Sequence, residues 1–410
     1  MTLLPRSIAP VLASCALLLS ACSSSPTLPV APVSTPQACP SPTVCQACAA
    51  CPAAQPVAEV PPHRAASWTE IDGWRDDDPS EAWSAFRKSC NVLEKQAPWQ
   101  ASCKAARQLG EAPGAAQARA FFERHFSPWQ LVNPDGSEQG LITGYYEPLI
   151  KASRTPDALY RWPVHGTPGD LLTIDLASVY PELKGYRLRG RLVGNKVLPY
   201  WKRDELGDQG SRLPAPVLLW AADPIDLFFM QVQGSGRAEL PDGSVLRLGY
   251  ADQNGHPYQS IGRWLVQQGQ LSLDKASMDG IRDWARRHPQ RLEEMLNSNP
   301  SYVFFRELPS SVEGPIGAQG APLTANRSIA IDSRFVALGA PVFLATTQPN
   351  SDTPLKRLMI AQDTGGAIKG AVRADYFWGF GPQAGAMAGR MRQQGRMWVL
   401  LPNGMKPTAN

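Results

Sequence analysis

The residues of this chain best placed to do chemistry are two aspartates in one glycine-rich stretch. They stand in Asp363-Thr364-Gly365-Gly366-Ala367-Ile368-Lys369-Gly370 and, a few residues on, Arg373-Ala374-Asp375-Tyr376-Phe377-Trp378-Gly379. An apolar run at 358–361 reads as a strand that carries Asp363 to its end, and Gly365 and Gly366 allow a tight backbone path. Asp375 returns one loop later, so both carboxyls come to one rim. Cleavage of a glycosidic bond needs a proton donor at the leaving oxygen, and a carboxylic acid with a raised pKa supplies it. Asp375 is the better candidate. Ala374, Tyr376, Phe377 and Trp378 offer apolar surface that could desolvate its carboxyl and keep the proton on. Asp363, beside Thr364 and two glycines with free backbone donors, reads as an ionised organiser of the loop, the alternative being the second carboxylate of an ordinary hydrolase. Lys369 could pair with Asp363 or steady the loop, and an exposed charge serves equally well.

The elements that must hold these residues can be read from spacing. Asp78-Pro79-Ser80 is a helix start, after which Trp83, Phe86, Cys90 and Leu93 recur at helical intervals, and a second helix is expected over 115–126. The stretch 140–148 alternates like a strand and stops at Pro148. Beyond it the pattern is mixed, with strand-like runs at 217–220 and 227–232, a Pro241-Asp242-Gly243 turn, and helices over 260–268 and 278–287. From Arg306 onward the chain reads as almost wholly β, with short apolar runs at 328–331, 342–345, 358–361 and 397–401 separated by Gly, Pro, Asp and Asn. Short strands between turn signals imply a small barrel.

At the other end, Arg6 and the apolar run at 11–19 lead into Leu19-Ser20-Ala21-Cys22. The run is too short to remain as a membrane-spanning helix, so residues 1–21 read as a signal peptide and Cys22 as a lipidated first residue. Residues 22–64, rich in Pro and Ala and nearly free of charge, bury too little apolar surface to fold and read as a tether. Cys39, Cys45, Cys48 and Cys51 sit in it. Their Cys-x2-Cys spacing superficially suits zinc, but with no second cluster and an oxidising compartment, disulfides are the expectation. Cys90 and Cys103 could staple two helical segments. About 340 residues remain for the folded part, enough for two domains. A formal net charge of +4 with no basic stripe argues against nucleic acid as a partner, and no metal or cofactor is expected.

Several further motifs carry a resemblance. Thr143-Gly144-Tyr145-Tyr146, Val232-Gln233-Gly234-Ser235-Gly236, Tyr250-Ala251 with Asn254-Gly255-His256, Tyr258-x-Ser260-Ile261-Gly262, 299–305, Asp332 and the whole 363–379 segment together resemble the family of membrane-bound lytic murein transglycosylase A. The C-terminal part resembles the three-aspartate domain, whose acidic positions would be Asp332, Asp363 and Asp375. The resemblance implies a mainly β fold in which 65–147 and 309–410 build a double-psi barrel with N-terminal helices, 148–308 forms an inserted β-rich domain, and a groove lies between them. It implies a polysaccharide lyase of exolytic type. Asp375 would protonate the oxygen between N-acetylmuramic acid and N-acetylglucosamine of peptidoglycan and then act as base for 1,6-anhydro ring closure. Asp363, Asp332 and Lys369 would support it, and Tyr145, Tyr146, Gln233, Gly234 and Ser235 would contact sugar, with one of the two tyrosines facing inward and the other the groove. Gln231 departs from the family pattern, where some members carry an acid, so catalysis at that position is not expected. The lipobox-like Cys22, followed by Ser23, implies anchoring in outer-membrane lipid on the periplasmic side, where wall-synthesis or division machinery could be a partner. The other classes in view are a non-catalytic wall-binding or wall-loosening lipoprotein and a structural one.

Overall fold

Asp78 accepts a hydrogen bond from the Ser80 backbone N–H at 2.9 Å, and Pro79 presets the first turn that leads into helix α1, Trp83–Leu93. The computed structural model describes residues 60–183, 186–206, 213–310 and 314–407. The expected signal peptide, Cys22, and the Cys39, Cys45, Cys48 and Cys51 cluster lie outside the described residues. Within the stretch expected to be tether, His63–Ala65 forms a strand, β1. Helices α2, Gln100–Leu109, and α3, Ala115–His125, follow α1. Trp83 and Phe86 of α1 meet Phe121 and Phe122 of α3, with Phe126 just beyond it, in an aromatic knot, and the Cys90–Cys103 disulfide joins α1 to α2.

Strands β2, Phe126–Leu131, and β3, Gly140–Glu147, come next. After them run β4 (Leu149–Ser153), β5 (Trp162–His165), β6 (Leu172–Thr173), β7 (Arg189–Val193), β8 (Lys196–Pro199) and β9 (Val217–Ala221). Helix α4, Pro224–Gln233, leads to β10, Gly236–Glu239, and β11, Val245–Gln253. Helices α5 (Ile261–Gln267), α6 (Met278–Arg287) and α7 (Leu292–Asn297) then precede β12, Val303–Leu308. The chain closes with β13 (Ser328–Ile331), β14 (Pro341–Thr347), β15 (Pro354–Thr364), β16 (Ala374–Phe380), helix α8 (Gly381–Arg390) and β17 (Arg392–Pro402).

Two of these runs differ from expectation. Residues 227–232, read as a strand, belong to α4, because Asp223 caps the backbone N–H groups of Ile225 and Asp226 and Pro224 occupies the first turn. Since α4 is buried on nearly all sides, its apolar run shows no amphipathic period, and only the cap identifies it as a helix. Gln233-Gly234-Ser235 is therefore a helix end, with Gly234 in the left-handed region at φ +78°, and not a polar strand end. Likewise α8 interrupts the C-terminal region that reads as all β. Its Gly381-Pro382 start is a helix signal among many turn signals.

Strands β17, β14, β15, β13, β16 and β3 are hydrogen-bonded in that order, and β17 pairs back to β3, so six strands close into a barrel. The β13–β15 and β16–β3 pairs are parallel and the other pairs in the ring antiparallel. Strands β2 and β1 extend the sheet beyond the far end of β17. The main core joins Ile329, Ile331, Leu344, Leu358, Ile360, Ala374 and Tyr376 of the barrel to the helical knot of α1–α3. A second sheet has the order β12-β11-β10-β4-β9-β5, and β6-β7-β8 form a small third one.

Candidate active site

Strand register brings the aspartates to one face. Ala330 of β13 is paired with Asp363 of β15 on one side and with Asp375 of β16 on the other, and Asp375 is paired with Thr143 of β3. Residues paired in register point to the same side of a sheet. Asp363, Ala330, Asp375 and Thr143 thus form one row across four strands, on the face opposite Ala374 and Tyr376, which are in the main core. Two strand spacings, roughly 10 Å, separate the aspartate backbones, and the methyl of Ala330 leaves the space between them open. Tyr145, Leu323, Ala330, Ile368 and Phe377 form the apolar cluster of this face.

Asp375 is partly accessible as a residue, yet its carboxyl is enclosed. Burial pushes its pKa up to about 6; Thr143 and Arg373 pull the other way, and the charge of Asp363 adds to the rise. The Thr143 hydroxyl donates to Asp375 Oδ1 at 2.6 Å, and Arg373 Nη2 donates to Thr143 Oγ1 at 2.9 Å. Asp363 is also raised by burial. Its oxygens accept from the Ala318 and Thr364 backbone N–H groups, both at 2.9 Å, and from the Tyr145 hydroxyl at 3.1 Å, all of which oppose the rise. Asp332 differs again. Burial raises it, but Arg334 and the Gly370 and Arg334 backbone N–H groups outweigh that and hold its carboxyl below the usual range. Through Gly370, at 2.8 Å, Asp332 pins the loop that joins the other two aspartates.

Helix α1 fixes where Asp363 sits. Gln362, fully buried, donates to the Ala85 carbonyl and to Ser89 Oγ, each at 3.1 Å, and accepts from Ser328 Oγ at 2.5 Å. On the other side, β3 needs glycine at two points: a Cβ at Gly140 would lie 1.7 Å from the Val372 carbonyl oxygen, and one at Gly144 would lie 2.6 Å from Trp378 Nε1. Those close approaches set β3 against β16 and α8.

The remaining expected residues divide. Tyr145 and Tyr146 do point to opposite faces, but both are buried: Tyr145 reaches over the aspartate row, while Tyr146 packs beneath α8 against Ala384 and Ala388. Gln233 accepts from the Tyr146 backbone N–H at 3.1 Å, tying the end of α4 to β3. Gly234 and Ser235 are half-buried beside it. Lys369 is exposed, and the cation whose charge acts on Asp363 is Arg187, which also donates to Thr364 Oγ1 at 3.2 Å. Neither Arg187 nor Arg373 stood out in the sequence as a partner of the aspartates; Arg373, two residues before Asp375, shares its face by strand alternation and could have been found that way. Gln231 is buried and accepts from Arg203 at 2.6 Å. Asn254 and His256 bond to the Trp201, Pro300 and Tyr200 carbonyls, as structural residues do.

A closed barrel with paired buried carboxyls on one face, one of them half-protonated near pH 6, describes a β-barrel protein equipped for general acid chemistry. Comparison with known proteins identifies the family. The profile of the MltA specific insert domain matches residues 141–306, and that of the 3D domain matches residues 327–401. Membrane-bound lytic murein transglycosylase A of Escherichia coli K12 is 33% identical over 279 residues, 66% of this chain and 68% of that protein. The crystal structure of MltA from Neisseria gonorrhoeae in its monoclinic form is 41% identical, with a TM-score of 0.74 over 85% of this chain and 94% of that one. Escherichia coli MltA with bound chitohexaose is 28% identical, with a TM-score of 0.59 over 83% and 95%. The chain belongs to the membrane-bound lytic murein transglycosylase A family.

Proposed function

We propose that this protein is a peptidoglycan lytic transglycosylase that cleaves the β-1,4 bond between N-acetylmuramic acid and N-acetylglucosamine, with Asp375 as acid and then base. The observation that carries this reading is the Asp375 carboxyl, lifted to about 6 by burial beside the apolar cluster of Tyr145, Leu323, Ala330, Ile368 and Phe377. A group with that pKa holds a proton to give at mildly acidic pH and is a competent base once it has given it. In the reaction Asp375 protonates the glycosidic oxygen as the bond from C1 breaks. The C6 hydroxyl of the same muramyl residue attacks C1, its proton returns to Asp375, and a 1,6-anhydro ring forms without water. Asp363, held by backbone N–H groups and Tyr145, would keep the loop and the local charge in place.

We read residues 65–147 and 309–410 as the catalytic double-psi barrel and 148–308 as the inserted domain, with the glycan lying in a groove between them where Tyr145, Gln233, Gly234 and Ser235 are near at hand. Tyr146, beneath α8, would act through packing. The relatives are named membrane-bound, and no helix among the described residues is long and apolar enough to cross a membrane. Lipidation at Cys22, with the protein on the periplasmic face of the outer membrane, would supply the attachment.

Asp375→Asn tests the reading. The amide keeps the shape and cannot deliver a proton, so release of muropeptides should fall by roughly 100- to 10,000-fold while the protein still sediments with insoluble peptidoglycan. Mass spectrometry of wild-type products should find anhydro ends, lighter by one water than hydrolytic ends. Reducing ends, or full turnover by the amide variant, would refute it.

A further inference from the structure

Arg373 carries only donors, and it spends one of them on Thr143: Nη2 lies 2.9 Å from Thr143 Oγ1, while Nη1 reaches the Leu141 and Ala374 carbonyls. Among the described residues the only acceptor bonded to the Thr143 hydroxyl is Asp375 Oδ1, at 2.6 Å. A hydroxyl has one hydrogen. With Arg373 donating into one lone pair of its oxygen and no other acceptor bonded to it among the described residues, that hydrogen is directed to Oδ1.

We infer that Thr143 and Arg373 are positioning residues that confine the catalytic proton of Asp375 to Oδ2. Oδ1 is an acceptor in both protonation states, so the proton leaves from Oδ2 and, in the base step, comes back to it. The arrangement is built into the barrel. Asp375 and Thr143 are register partners on parallel β16 and β3, and Arg373 projects to the same side two residues earlier. A freely rotating carboxylic acid would present its proton at either oxygen, and the population with the proton on Oδ1 would be unable to protonate the glycosidic oxygen. The inference rests on the reading of Asp375 as the proton donor.

The charged and titratable groups around that carboxyl are Arg373 on its own side of β16, Asp363 of β15 across Ala330, and Tyr145 of β3, with Arg392 of β17 paired in register to Thr143. Both Thr143 and Arg373 favour the ionised carboxyl, so removing either raises the pKa. The basic limb of the kcat/KM profile reports that pKa, since the acid step needs the proton present.

Profiles for wild type, Thr143→Val, Thr143→Ser and Arg373→Met on purified peptidoglycan test the inference. Thr143→Val should lose roughly tenfold below the limb, a part of the general-acid contribution, and its limb should move to higher pH, so that the deficit shrinks as pH rises. Thr143→Ser should restore both rate and limb. Arg373→Met should shift the limb in the same direction, and the double variant should lose less than the two single losses combined, because both act on one hydroxyl. A valine variant that loses rate equally at all pH with its limb unmoved, or one with wild-type rate and limb, would overturn the inference, as would failure of serine to rescue. Asp375→Asn assayed alongside separates the two levels: if it turns over, the donor assignment falls, and if it is inactive while the valine limb stays put, only the positioning role falls.

Discussion

Asp375, the proposed proton donor, is also a burden on the fold. One pKa unit corresponds to about 1.4 kcal/mol, so a carboxyl raised by burial to about 6 makes the ionised folded state less stable by roughly 3 kcal/mol at most. Between about pH 4 and pH 6 the folded chain keeps a proton that the unfolded chain has released, so this group's contribution to stability falls as pH rises through that window. Asp375→Asn removes the titration. The variant and the wild type should unfold alike in urea near pH 4, and the variant should be the more stable above about pH 6. A stability difference that does not change with pH would mean that the carboxyl is better solvated than its surroundings imply. If Asp375 is the donor, wild-type turnover should fall as pH rises through about 6, where the folded-state carboxyl gives up its proton.

The elements that present these residues are held by local devices that the sequence displays unevenly. Asp78-Pro79-Ser80 before Trp83 is a cap whose meaning survives folding, and the period of Trp83, Phe86, Cys90 and Leu93 becomes the buried face of α1. The alternation from Gly140 and the runs near 328, 342, 358 and 397 are barrel strands for the same reason: each has one face on the core. What could not be read is tertiary. The run at 227–232 has no period because α4 is enclosed, and the α1 contacts of Gln362 join residues 277 and 273 positions apart, which no local pattern encodes. The two cysteines were legible only as a possible staple. Their disulfide spans 13 residues and ties α2 to α1, the helix to which Gln362 is bonded. Closing a loop of that length stabilises by about 3 kcal/mol in the chain-entropy account, so Cys90→Ala with Cys103→Ala should lower the urea midpoint accordingly. An unchanged midpoint would show that packing of α1 on α2 suffices without the bond.

At the scale of the whole molecule, one buried cation joins the N-terminal helices to the barrel. Arg327, just before β13, makes two 3.0 Å bonds to the Asp77 carboxylate and also reaches Glu81 and the Leu358 carbonyl, while Asp77 accepts the Leu358 backbone N–H at 2.8 Å. Arg327 and Asp77 are each about 4% exposed. Removing one partner of such a pair leaves the other charged and desolvated, which costs about 3–5 kcal/mol. Arg327→Met should show a loss of that size in denaturant unfolding, and adding Asp77→Asn should recover part of it. If the single variant were as stable as wild type, the N-terminal segment would have to be held by its other contacts, the shared core and the Gln362 bonds among them. The row from Asp363 through Ala330 and Asp375 to Thr143 has its own bearing on the molecule as a whole. Because strand side chains alternate, a slip of β16 by one position would turn Asp375 into the barrel core and expel Ala374 and Tyr376 from it. The register that packs the barrel is the one that places the Asp375 carboxyl, so on the proposed role of that residue a slipped molecule would lose packing and cleavage together.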